Sequence, residues 1–175
     1  MSRWIAAAIA AVAVISAAAV FILWPERDYP WRIPEPYPLP LVPGDNPMSE
    51  DKVELGRRLF YDRRLSVNGA LSCAGCHRQE LAFTDGLAKS VGATGEVHPR
   101  GAMSLVNVAY ASRLTWANHL LDRLEIQALT PLFGESPIEM GMGGREADIK
   151  QLLRSDERYA VMMPAVFPGD EDPYS

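Results

Sequence analysis

The chain has 175 residues, room for one globular domain with a tail. Its formal charge of −5 is mild and both signs are interspersed, so no basic patch stands out to neutralise phosphates, which argues against a nucleic-acid partner. Apolar content is ordinary for a globular protein, whereas the 14 prolines are many for this length and crowd towards the two ends.

Arg3 precedes an uncharged run from Trp4 to Trp24, WIAAAIAAVAVISAAAVFILW. About 20 apolar residues cross a bilayer as a helix, and this run reaches that length. Positive charge lies before it and Glu26, Arg27 and Asp28 follow, so the positive-inside rule places the bulk of the chain outside the cytoplasm. Residues 1–24 therefore read as a membrane anchor or as a signal peptide, for which Ser16-Ala17-Ala18-Ala19 offers small residues to a peptidase. Both readings mean export, and the continuation through Val20-Phe21-Ile22-Leu23 favours the anchor.

Residues 25–47, PERDYPWRIPEPYPLPLVPGDNP from Pro25, form a proline-rich extended linker. Proline fixes φ and removes a donor, which rules out helix and central strand here. Such a segment serves as a tether or as a strap across the surface.

The folded domain is expected over 48–175 and begins with a helix in MSEDKVELGRRLFYD. Ser49 suits its N-cap, Glu50 and Asp51 suit its positive end, and Arg57 and Arg58 lie towards the other end. Val53, Gly56, Leu59 and Phe60 recur at helical spacing and predict the apolar face. A Gly- and Thr-rich loop follows from Thr84 to Gly101. A second helix is expected within Leu120 to Leu129, stopping before Pro131. A third, Glu146 to Arg154, carries a pattern that runs on to Met163. Strand signals are weak, so the class is mainly α with long loops.

Between the first helix and the loop lies LSCAGCHRQELAFTDG, which holds both cysteines of the chain. Cys73-Ala74-Gly75-Cys76-His77 matches C-x-x-C-H, the attachment motif of c-type haem. Two thiols add across the two vinyl groups of the haem, and the adjacent His is delivered to the iron as proximal ligand. A disulfide would close a very small loop, a thioredoxin-like pair would want a βαβ context, and zinc would need further ligands at matched spacing. Covalent haem attachment in bacteria occurs outside the cytoplasmic membrane, so the motif and the export signal agree on the periplasmic side.

A small electron carrier with His/Met ligation is one reading, with Met140 at a suitable separation for the sixth ligand; Met103, Met142, Met162 and Met163 are further candidates. Another comes from three longer stretches. LGRRLFYDRRLSVNGALSCAGCHRQELAFTDG, SVGATGEVHPRGAMSLVNVAY and LEIQALTPLFGESPIEMG together resemble the N-terminal, peroxidatic haem domain of bacterial di-haem cytochrome c peroxidases. That family includes the methylamine dehydrogenase maturation enzyme, and the resemblance runs from about Asp45 to Gly169.

The resemblance implies a cytochrome c-like domain with one covalently held haem c, His77 as proximal ligand, and hydrogen peroxide as substrate. It implies that Gln127, Pro131 and Glu139 shape the opposite face, with Glu139 as acid/base. A poised carboxylate there moves a proton between the two peroxide oxygens, which heterolysis of the O–O bond requires. Trp116 matches a tryptophan that lies between the family's two haems and helps electrons pass. An electron-donor protein or an oxidised partner protein is implied as well.

Four departures qualify the match. Many family peroxidases carry a labile His where this chain has Ala93, so an iron open at rest is expected; His98 is a nearby substitute. An Asn that helps hold calcium is replaced by Gly101, which puts a calcium ion in doubt. TWANHLL replaces W-D-G-R, and the segment from Pro131 to Glu139 is longer; TWAN and PLFGE look more like the branch with the methanobactin-associated di-haem enzyme, which oxidises a tryptophan of a partner protein. Finally, no second cysteine pair follows. The chain is expected to be the N-terminal half of a di-haem enzyme, with a second haem in a full-length relative and an apolar face where a second domain docks. A natural mono-haem protein, or a haem-based sensor, is the alternative.

Overall fold

The computed structural model describes residues 29–116, 118–170 and 172, so the expected apolar helix of 1–24 lies outside the described residues. Among them the architecture is helical, with isolated β-bridges in place of strands. No described helix is long and apolar enough to cross a membrane.

Helix α1 spans Glu50–Tyr61 and starts as its sequence dictates. The extended Ser49 turns its hydroxyl onto the Lys52 amide at 3.2 Å and is itself buried. That satisfies one of the four donors a helix start leaves orphaned. The buried row is Asp51, Leu55 and, partly, Leu59, at a spacing of four, and the expected Val53 instead faces solvent. Periodicity of three and four fits two adjacent rows, and only packing selects one.

The selecting surface is made by α5, Glu146–Ser155, and α6, Glu157–Val166. Leu55 of α1, Leu153 of α5, and Tyr159, Met163 and Val166 of α6 form the buried cluster, with Ile149, Met162 and Phe167 packed around it. The expected continuous helix through Met163 is broken at Asp156. Its extended backbone ends α5, and its carboxylate accepts from the Arg158 and Tyr159 amides to start α6. A carboxylate so placed caps better than it continues a helix.

An ion-pair and phenol network closes this corner. Arg64 bridges Asp62 and Asp156 at 2.6 and 3.0 Å, and the Tyr159 hydroxyl donates to Asp62 at 2.9 Å.

Helix α2 is one turn, Cys73–Cys76, and contacts α1. The expected second helix arrives as two pieces, α3, Leu124–Gln127, and α4, Leu129–Phe133. Pro131 does not stop it. Proline has no N–H to give the Gln127 carbonyl, which breaks the ladder near Ala128, yet in the first turn of α4 that N–H would be orphaned anyway.

The proline-rich segment over 29–47 contains turns and no helix or strand. It is fastened by Asp45 on Arg123 at 2.9 and 3.1 Å, Asn46 on Glu125 at 2.8 Å, and the Tyr110 hydroxyl on the Pro38 carbonyl at 2.7 Å. A cleft of about 1050 Å³ lies between it and residues 105–110, lined by Tyr29, Trp31, Arg32, Tyr37 and Tyr110 among others.

Leu55→Ala should cost about 3 kcal/mol, as expected for deleting a buried leucine, measured by urea unfolding of the haem-loaded chain. Burial and the Asp62 carboxylate push the Tyr159 phenol up to about 12. Its contribution is therefore full below the ordinary tyrosine value near 10 and is lost as pH rises through about 12. Tyr159→Phe should flatten the alkaline fall in stability over that window.

Candidate active site

Cys73 and Cys76 stand three residues apart on α2, on one face of one turn. Both thiols are free and half-buried. Burial pushes both above the usual thiol range, Cys76 to about 11, with the charges of Asp85 and Glu139 adding to it. A reactive redox pair needs the opposite shift, so the pair is unlike a thioredoxin motif.

His77 ends α2, its amide bonded to the Cys73 carbonyl at 2.9 Å. Its Nδ1–H donates to the Phe83 carbonyl at 2.9 Å, which fixes the ring and leaves Nε2 for an iron. The chain turns back for this bond through two left-handed residues, Ala82 at φ 55° and Phe83 at φ 57°. Each costs on the order of 1–2 kcal/mol. Hydrogen bonds hold the turn: Phe83 N–H to Arg78 O at 2.8 Å, Arg78 N–H to Thr84 O at 3.0 Å, and the Ser104 hydroxyl to Ala82 O at 2.6 Å. Phe60 from α1 sits 6.4 Å from the imidazole and 6.5 Å from the Phe83 ring, centre to centre. Two thiols, an oriented imidazole and flanking aromatic rings fit a covalently attached haem.

Glu139 lies in the loop after α4 and is half-buried. Burial holds its carboxyl above the usual range, while His98 and His77 are near enough for their charge to pull it partly back. The Met140 amide, next to Glu139 in the chain, donates to the Pro131 carbonyl at 2.9 Å. Gln127, half-buried, stands four residues before Pro131. Met140 and Met142 are both 4% exposed, whereas Met163 and Met162 belong to the α1–α5–α6 cluster.

Trp116 is not a core residue. It is 59% exposed, its indole N–H donates to the Gly101 carbonyl at 3.1 Å, and Arg100 lies 5.8 Å from the ring centre. Gly101 is itself pressed against Leu87, where any Cβ would meet the carbonyl oxygen at 2.0 Å. Among the described residues no group of three or more His, Cys, Asp or Glu gathers to hold a metal ion.

Sequence reasoning missed the residues that hold Glu139. Ala93 N–H donates to its carbonyl at 2.7 Å, and the His98 ring donates through Nε2 to the Ile138 carbonyl at 3.0 Å. His98 is thus committed to the protein backbone and 7% exposed. The signal was there in VGATGEV, two valines bracketing a glycine turn, which is a hairpin pattern.

The helical fold with this thiol–imidazole motif defines a c-type haem-binding domain. Residues 50–175 match the family described as di-haem cytochrome c peroxidase. The chain is 39% identical to cytochrome-c peroxidase IdrP1 of Denitromonas iodatirespirans over 95% of its own length and 41% of that protein. It is 34% identical to the methylamine utilization protein MauG of Methylorubrum extorquens, over 82% of this chain and 38% of that one. The crystal structure of a MauG-like protein associated with microbial copper homeostasis aligns with a TM-score of 0.79 and 51% identity, covering 84% of this chain and 42% of that chain. This chain belongs to the di-haem cytochrome c peroxidase family. It spans about 40% of the length of these relatives.

Replacing Cys73 and Cys76 together by alanine should leave haem extractable into acidified acetone, whereas the parent chain retains it after the same treatment.

Proposed function

We propose that this chain is the peroxidatic haem half of a di-haem oxidoreductase that reduces hydrogen peroxide or uses it to oxidise a partner protein. The observation that carries the reading is the geometry of the motif, two free thiols on one helical turn beside an imidazole whose Nε2 is left open, in a chain that matches the di-haem cytochrome c peroxidase family over residues 50–175. In the proposed site Cys73 and Cys76 hold haem c and His77 Nε2 ligates its iron. The haem supplies the redox centre at which peroxide is reduced.

The chain's own part is proton handling. Glu139 takes the proton from one peroxide oxygen and returns it to the other, and a raised carboxyl does both near neutral pH better than an ordinary one. Gln127 and Pro131 shape the pocket beside it. Trp116, exposed with Leu120, Leu124, Ile126 and Leu129 nearby in sequence, marks the face where a second haem domain docks and electrons enter. In this reading residues 48–175 are the haem domain, 25–47 its strap, and 1–24 the segment that exports it to the periplasmic side, as anchor or as leader. The 51% identity to a MauG-like protein supports the di-haem reading, and the resemblance carried by TWAN and PLFGE suggests oxidation of a protein partner.

Buried Met140 keeps a second reading in play, a His/Met electron carrier. A high-spin ferric spectrum that changes on adding peroxide supports the peroxidatic site; a low-spin spectrum indifferent to peroxide would sink it. Within the peroxidatic reading, Glu139→Gln should slow peroxide-driven haem oxidation by about 10²-fold or more in stopped flow. An unchanged rate removes Glu139 from the reaction.

A further inference from the structure

As the proposed acid/base, Glu139 must keep its carboxyl in one place, yet no helix or strand contains it. A hairpin is bonded to its backbone instead. Residues 90–98 fold back on themselves through Gly95 N–H to Gly92 O at 2.9 Å, Gly92 N–H to Glu96 O at 2.9 Å and His98 N–H to Ser90 O at 2.8 Å. Ser90 is buried and its hydroxyl is bound to Asp85.

Three hydrogen bonds run from this hairpin to two consecutive residues. Ala93 N–H donates to the Glu139 carbonyl at 2.7 Å, His98 Nε2–H donates to the Ile138 carbonyl at 3.0 Å, and a Glu96 carboxylate oxygen accepts from the Ile138 amide at 3.1 Å. The approach is as close as a backbone permits: a Cβ on Gly92 would lie 2.0 Å from the Ile138 oxygen. From behind, the Asn68 side-chain amide donates to the Ala93 carbonyl at 2.7 Å. The Ile138 oxygen only accepts, so His98 carries its proton on Nε2.

We infer that the 90–98 hairpin is a fixed clamp on the Ile138–Glu139 backbone, with His98 and Glu96 as positioning residues for the Glu139 carboxyl. The inference rests on the reading of Glu139 as acid/base. Ala93 gives the clamp its N–H to the Glu139 carbonyl.

The test uses the haem-loaded chain and three variants. His98→Leu removes the ring donor, His98→Gln keeps an N–H within reach, and Glu96→Ala removes an exposed acceptor with little risk to folding. Hydrogen–deuterium exchange should accelerate about 10-fold at the Ala93 and Ile138 amides in His98→Leu and Glu96→Ala. The rate at saturating peroxide should fall roughly 10- to 100-fold with the half-saturating concentration unmoved, because misplacement costs rate rather than binding. His98→Gln should stay within about threefold of the parent in both. Unchanged exchange in His98→Leu and Glu96→Ala overturns the clamp, whatever Glu139 does. Faster exchange with an undiminished rate, where Glu139→Gln still slows the reaction, overturns the positioning role. An undiminished rate in Glu139→Gln itself overturns the acid/base reading, and the exchange measurement is independent of it.

Discussion

The backbone at Ile138–Met140 is where the loop half of this molecule is tied together. Ile138 and Glu139 accept from His98 and Ala93, Met140 accepts from the Val67 amide at 2.9 Å, and the Met140 amide donates to Pro131. Three separate stretches of chain, around 67, 93 and 131, thus meet on three consecutive residues. Among the described residues no strand ladder is present to satisfy loop backbone groups, and an unpaired one costs as much as a lost hydrogen bond. Cross-loop bonds of this kind do the work of a sheet, and they do it at the proposed acid/base.

The helical half needs no such device. Its cluster of Leu55, Leu153, Tyr159, Met163 and Val166 is held by ordinary burial, and the Asp62–Arg64–Asp156–Tyr159 network closes one corner. What this half contributes to the site is a platform. Helix α1 presents Phe60 to His77 and contacts the single turn bearing the thiols. Beside the imidazole, strain falls on Ala82 and Phe83, where a bent-back chain aims a carbonyl at the ring. Their steric cost is offset by three hydrogen bonds around the turn, which is how an uncommon backbone conformation persists.

Much of this was legible in the residues, and the failures have physical causes. The Ser49 cap and the thiol–imidazole motif are local chemistry, and local chemistry reads directly from sequence. Which row of α1 is buried depends on α6, so Leu55 and Asp51 displaced Val53. The stop at Pro131 failed because the cost of a proline depends on its place in the helix, and a break before it turned an interior position into a first turn. His98 was weighed as a substitute for the labile histidine because it lies near Ala93 in the loop; only the position of the Ile138 carbonyl, 40 residues on, shows its ring in use as a donor.

One short segment links the proposed proton site to the proposed electron entry. His98 holds Ile138; two residues on, Arg100 lies against the Trp116 ring and offers its carbonyl to the Ser90 amide at 3.1 Å. Gly101 next takes the indole N–H and fits against Leu87 without room for a side chain. Residues 98–101 are therefore tied through His98 to the Glu139 loop and through Arg100 and Gly101 to an exposed tryptophan, with Pro99 exposed between them. The Trp116 indole and the Ile138 carbonyl are thus held by one stretch of four residues, which puts the proposed face of electron entry and the proposed acid/base on neighbouring parts of the same backbone.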